Sequence, residues 1–132
     1  DWNLSVPRFW KGPLGADMTE DCIFCRIASG DLGTVFVAES EHNVAFRDLA
    51  PQAPTHVLVV PRRHLNALQD AVPDHSDVVA DAITLAADVA RQEGLLESGY
   101  RVITNDGPDA GQTVHHLHFH VLGGAKLQAG LG

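Results

Sequence analysis

The stretch His115-His116-Leu117-His118-Phe119-His120-Val121-Leu122 constrains the fold of this chain more than any other. Four of the eight histidines fall within six residues, and imidazoles alternate with apolar side chains. A period of two marks a half-buried strand. His116, His118 and His120 are therefore expected on one exposed face, with Leu117, Phe119 and Val121 turned into a core. The outer pair stands four strand steps apart, about 13 Å at ~3.3 Å per residue, too far for one metal ion to bind all three. At least one histidine is left for other chemistry. The alternatives are a solvated His-rich face or a weak metal-binding tract.

The remaining elements can be read around that strand. Cys-Ile-Phe-Cys-Arg-Ile-Ala-Ser-Gly, residues 22–30, has the form of a short helix closed by a glycine. Residues 34–39 and 43–48 are strand candidates joined by the polar turn Ser40-Glu41-His42, which predicts a hairpin. Residues 56–61 form a mostly apolar third strand, expected at the centre of the sheet and stopped by Pro61. Between them Pro51 and Pro54 impose a fixed loop. Residues 62–69 read as a short helical segment. One long helix is predicted over 76–93, with Val78, Val79, Ile83, Leu85, Ala86 and Val89 as its apolar stripe and Gly94 at its end. Residues 100–104 and 115–122 complete the sheet.

Five strands with one long helical crossover suit an α+β domain built on an antiparallel sheet. Residues 1–17 show no sustained period and read as a leader, tag or disordered arm ahead of a domain spanning 18–132. A length of 132 residues matches one domain with one core.

Charge narrows the partners. Seventeen acidic against nine basic residues leave a net charge of -8. Such a surface repels polymeric nucleic acid and anionic membranes, so a phosphate site must be built locally from backbone N–H groups and histidines. No apolar run reaches the ~20 residues of a membrane span, and the chain reads as cytoplasmic. In a reducing compartment its only cysteines, Cys22 and Cys25, suggest a metal or redox role.

The run His116 to Leu122 resembles the signature of the histidine triad family, His-apolar-His-apolar-His-apolar-apolar. The resemblance extends through Phe46-Arg47-Asp48-Leu49, Pro51-Gln52-Ala53-Pro54-Thr55-His56 and the segment from Asn105 to Val114, covering Asp21 to about Gly124. It implies a five-stranded antiparallel sheet carrying helices, and a homodimer whose sheets join.

By this resemblance His118 is the nucleophile. It attacks the α-phosphate of a nucleotide conjugate to give a nucleotidyl-histidine that water cleaves. His120 resembles the family's phosphate-contacting histidine. Gly111, Gln112, Thr113 and Val114 can surround an anion with N–H groups and polar side chains, and the Thr113 hydroxyl can assist the leaving group. Asn105 occupies a phosphate-side position. Asp48 resembles the carboxylate that accepts hydrogen bonds from ribose hydroxyls, and Ile23, Phe24, Ile27, Phe46 and Leu49 match the apolar nucleobase slot, although each could equally be core.

Cys22 and Cys25 have the spacing of zinc ligands, and His64 and His116 complete a four-ligand structural zinc site in relatives with this cysteine pair. That assignment leaves His118 and His120 for chemistry that needs no metal. The other reading of the pair is two free thiols at a helix start. His56 reads as a brace for the nucleophile's strand rather than a catalytic group.

Pro51 to His56 and Leu122-Gly123-Gly124 are similar to the nucleoside phosphoramidate hydrolase branch, which acts on purine nucleoside monophosphates linked to amines and on aminoacyl adenylates. Asp106-Gly107-Pro108 and residues 110–114 are similar instead to the fragile-histidine-triad branch, which cleaves diadenosine polyphosphates. The first branch is favoured because its similarities lie nearer the leaving-group side. The rivals of another kind are a nucleotide-binding regulatory protein with incidental catalysis and a zinc-dependent hydrolase.

Overall fold

The computed structural model describes residues 21–129, so the leader expected over 1–17 lies outside the described residues. Strands β1 (Ala38–Glu39), β2 (Asn43–Arg47), β3 (Thr55–Pro61), β4 (Tyr100–Ile103) and β5 (Phe119–Gly123) form one antiparallel sheet in the order β1-β2-β3-β5-β4. Helices α1 (Ile23–Ala28), α2 (Leu68–Ala71) and α3 (Ser76–Gln92) and a 3-10 turn at Pro108–Ala110 complete it. The α+β expectation holds, with β3 at the centre.

β3 is central because neither of its faces can stay wet. Val57 and Val59 join Ala45, Phe119 and Val121 against Val78, Ala82, Leu85, Ala86 and Val89 of α3. Leu58 and Val60 point the other way, against Phe24, Ile27 and Ala28 of α1, together with Val44 and Phe46. All seven residues of β3 are buried, and each large apolar side chain so buried contributes about 1.5–3 kcal/mol. α3 ends where Gly94 adopts φ +75°, a backbone conformation that residues with a Cβ rarely take. Its carboxylate Asp81 accepts hydrogen bonds from the Ser40 hydroxyl, the His42 backbone N–H and the Asn43 side-chain amide, which ties the β1–β2 turn to the helix. Burial alone would raise the Asp81 carboxyl, but these bonds outweigh it and hold the group below the usual carboxylate range.

Five expectations need correction. The strand expected over 115–122 begins only at Phe119. Before it, the Leu117 N–H bonds to the Leu65 carbonyl of a loop and the His116 N–H to Val114, so these backbone groups are used outside the ladder. The apolar alternation still holds, since Leu117, Phe119 and Val121 all enter the core. The imidazoles, however, do not share an exposed face: His116 is fully buried and His118 is 8% exposed.

The helical segment expected over 62–69 shrinks to α2, because Arg62 bonds the Ser40 carbonyl and Glu39, and His64 turns toward Cys25. Such long-range contacts fix residues 62–67 as a loop whatever their local propensity. Of residues 34–39 only Ala38 and Glu39 pair in the sheet. Ile83, placed in the stripe of α3, is 48% exposed. Among the described residues no helix is long and apolar enough to cross a membrane.

Candidate active site and metal centre

Two neighbouring groups of side chains are assembled by β5, the segment before it and α1. The first is the nucleophile candidate. The Nδ1 of His118 lies 2.6 Å from the backbone carbonyl of His116. A carbonyl can only accept, so Nδ1 carries the proton and Nε2 keeps its lone pair. Burial is the largest influence on His118 and pushes its pKa down, reinforced by charge repulsion from His116; the His116 carbonyl, Asp106 and Asp48 oppose it only in part. A neutral imidazole with a free Nε2 is the form a nucleophile requires.

The second member, His120, is oriented through β3. The register places Leu58 opposite His120, which leaves His56 at the diagonal position on the same face. The Gln52 backbone N–H donates to His56 Nδ1 at 3.0 Å, so the His56 proton sits on Nε2. That nitrogen is 2.9 Å from His120 Nδ1 and 3.4 Å from an Asp48 oxygen. His120 Nδ1 therefore accepts, and its own proton is on Nε2, free to donate. Burial, followed by repulsion from His118 and His56, pushes the His120 pKa down to about 4, against the pull of Asp48.

Asp48, His56 and His120 bring donor atoms within 4.8 Å of one another, as a metal site would. The tautomer set by the Gln52 N–H argues against that use, because the His56 nitrogen facing the other two carries a proton. The sequence suggested only a bracing role for His56. Its place in this chain depends on the Pro51-Gln52 turn folding back onto its ring, a contact that no spacing rule announces.

The apolar set divides. Phe24, Ile27 and Phe46 are buried in one cluster, with Ile23 and Val114 packed against it. Phe24 meets His118 edge-on at 5.0 Å and Phe46 at 5.9 Å. They are core and site wall at once. Leu49 is 97% exposed and stands outside that buried cluster. Asp48 accepts the Ala50 N–H through one oxygen, which leaves the other turned toward His56.

The loop after β4 is held rigid by its own groups. Gln112 accepts the Gly107 N–H and donates to the Asn66 and Val114 carbonyls, and Gly111 takes φ +84° to make the bend. The Gln112 carboxamide thus braces the loop in this chain. Thr113 and Val114 line an open groove of about 370 Å³ beside Cys22, Ile23 and His64. Asn105 lines another, of about 490 Å³, with Arg101, His56 and His120.

The metal centre candidate lies behind His118. Cys22, Cys25, His64 and His116 place four ligand atoms within 4.8 Å of one another. His116 Nδ1 is 3.2 Å from Cys22 Sγ and 3.5 Å from Cys25 Sγ, and His64 Nδ1 is 3.2 Å from Cys25 Sγ. The opposite nitrogens are also engaged: His116 Nε2 donates to the Pro61 carbonyl at 2.8 Å and His64 Nε2 to Asn66 Oδ1 at 2.9 Å. Both rings therefore turn an unprotonated nitrogen inward, and an outer acceptor fixes each tautomer, as ligating histidines require. The Cys22 thiol is held far below its usual range, first by hydrogen bonding with Cys25 and then by His116 and His64, against the cost of burial. His64 is correspondingly raised, chiefly by Cys22. Two thiol sulfurs and two imidazoles form the donor set of a tetrahedral zinc site. The donors present can hold such an ion.

The HIT domain profile matches residues 30–127. The chain is 40% identical over 110 residues to a purine nucleoside phosphoramidase of Escherichia coli strain K12, covering 83% of this chain and 92% of that protein. It is 43% identical over 107 residues to a 14 kDa zinc-binding protein of Zea mays, covering 80% and 83%. Its fold is similar to the solved structure of a HIT family hydrolase from Clostridium thermocellum, with a TM-score of 0.82 and 38% identity over 86% of this chain and 99% of that one.

Proposed function

The chain belongs to the HIT domain family, and from that premise we propose that it hydrolyses purine nucleoside phosphoramidates or aminoacyl adenylates at the α-phosphate, releasing AMP. The observation that carries this reading is the 2.6 Å contact from His118 Nδ1 to the His116 carbonyl, because it supplies a neutral nucleophile with a fixed direction of attack. The purine nucleoside phosphoramidase likeness supports the choice of substrate class.

In this mechanism His118 Nε2 attacks phosphorus, and the P–N bond to the leaving amine breaks, or in an aminoacyl adenylate the P–O bond to the leaving carboxylate. As the new bond forms the ring becomes an imidazolium, and the carbonyl of His116 stabilises its Nδ1–H. His120 Nε2–H, fixed by the chain from Gln52 through His56, donates to a phosphoryl oxygen where charge grows. Thr113 assists protonation of the amine, and N–H groups around Gly111 and Val114, with Asn105, hold the phosphate. Asp48 accepts from the ribose, while Ile23, Phe24, Ile27 and Phe46 flank the base. Water then attacks the nucleotidyl-histidine and regenerates His118.

A zinc ion held by Cys22, Cys25, His64 and His116 would hold the fold together and take no part in the bond changes. A homodimer with joined sheets is the expected assembly.

The discriminating experiment compares turnover of an adenosine 5'-phosphoramidate with that of a diadenosine polyphosphate. Preference for the phosphoramidate is expected. Faster cleavage of the dinucleotide would transfer the chain to the rival branch, and AMP binding without turnover of either would make it a binding protein.

Acid tolerance follows from the same geometry. Only unprotonated His118 can attack, and only neutral His120 presents the tautomer described. Both pKa values are lowered, so loss of activity moves toward acid rather than alkali. A kcat/KM profile, which reports the free enzyme, should stay level through the ordinary histidine value of about 6.5 and decline only below it. An acid limb at or above that value would contradict the burial argument.

A further inference from the structure

We infer that the Cys22–Cys25–His64–His116 cluster positions the nucleophile as well as closing the fold, acting on His118 through His116 and Phe24. The inference rests on the proposed role of His118 and adds a second duty to the metal ligands.

His116 belongs to both groups. Its ring reaches the thiols through Nδ1 and the Pro61 carbonyl through Nε2, and its own backbone carbonyl receives the His118 Nδ1–H. With the ring held at both nitrogens, a shift toward or away from the cysteines pulls on the backbone whose carbonyl fixes the His118 tautomer. Phe24 supplies an independent connection. It lies inside the Cys-Ile-Phe-Cys turn, one residue before a cysteine with no exposed surface, and its ring meets His118 edge-on at 5.0 Å and 82°. The cluster thus adjoins two contacts of the nucleophile's ring, the His116 carbonyl and the Phe24 ring.

The strength of that control depends on the ion. Sulfur and nitrogen held by hydrogen bonds of 3.2–3.5 Å tolerate movement that coordinate bonds of about 2.0–2.3 Å do not. His116 and Phe24 are positioning residues in this account, since neither touches the reacting phosphorus. A remote staple would raise the melting temperature and leave His118 indifferent to the metal. A positioning cluster would alter the tautomer and kcat at temperatures where the chain remains folded.

The test uses protein with stoichiometric zinc, the same protein after chelation, and Val89→Ala, a core variant on α3 that belongs to neither group, chosen to lower the melting temperature without removing a site residue. With the far-UV spectrum retained, the stripped protein is expected to lose about tenfold or more in kcat for the phosphoramidate and to bind AMP more weakly. Zinc should restore both, and Val89→Ala should keep its kcat well below its melting temperature. Nitrogen-15 spectra should show one Nδ1–H tautomer for His118 in loaded protein and a mixture after stripping.

Unchanged tautomer and AMP affinity in stripped, folded protein would overturn the proposal, as would an equal loss of kcat in Val89→Ala. If stripping unfolds the chain, His64→Gln makes the same comparison under the same criteria, because His64 is half-exposed and comes from a separate loop. Loaded protein that turns over nothing would overturn the hydrolase reading alone, since the tautomer and AMP affinity still judge the coupling.

Discussion

Replacing His118 with alanine is expected to cut phosphoramidate turnover by at least about a thousandfold, equivalent to roughly 4 kcal/mol of transition-state stabilisation. The size follows from the proposed role of His118 as nucleophile. Without Nε2 there is no covalent intermediate, and water would have to displace the amine in one step with the remaining donors in place. Binding should survive, because Phe24, Ile27 and Phe46 also pack on one another in the apolar cluster and Asp48 is held by the Ala50 N–H and His56. The fold should also survive. The ring is 8% exposed and meets Phe24 and His120 edge-on, so its removal leaves a cavity costing about 1–3 kcal/mol. Pre-steady-state trapping of AMP on the protein should succeed in wild type and fail in the variant. If His118→Ala kept a tenth of the activity, another group would have to be the nucleophile.

Removal of the metal should give the largest change in stability. The four donors come from the start of α1, the loop after β3 and the segment before β5, so one bound ion would join parts of the chain up to 94 residues apart. Without it, an acidic thiol and two imidazoles remain packed together, and Cys25 and His116 have no exposed surface through which water could compensate. Structural zinc in small peptides is worth about 10–16 kcal/mol. Here the sheet core exists independently, so a smaller share, at least about 3 kcal/mol, is expected. In a domain of this size that lowers Tm by roughly 10 °C or more. Cys25→Ser should cost more than Cys22→Ser, because Cys22 is half-exposed and Cys25 fully buried. Metal analysis of purified protein and thermal scans with and without chelator provide the check. Purified protein without zinc, or a Tm that ignores its removal, would contradict the assignment.

Much of this fold could be read from residue patterns because single physical demands dominated them. Residues 56–61 had almost no polar side chain to offer solvent, and β3 is indeed buried on both faces. Leu117, Phe119 and Val121 alternate because they fill one core. The clustering of Cys22, Cys25, His64 and His116 was legible through spacing and resemblance together, since no single spacing rule connects Cys22 to His116. What escaped depended on long-range partners. The strand could not be seen to start at Phe119, because what removes residues 115–118 from it is a hydrogen bond to Leu65 and the pull of the cysteines on His116. Gln112 has the composition of a site residue, yet its carboxamide is spent on three backbone groups of its own neighbourhood.

The late start of β5 limits how the triad could be transplanted. A seven-residue His-apolar-His motif grafted onto a regular strand of another scaffold would put all three rings in a row along one face. In this chain the row is broken: His116 departs from the strand to serve the thiols, and its carbonyl turns to meet His118. A working graft would have to carry the irregular backbone before Phe119, the loop carbonyl of Leu65 that holds it, and a neighbouring strand bearing a histidine in the position of His56. The portable unit is two antiparallel strands with a kinked entrance, and the seven letters of the motif record only part of it.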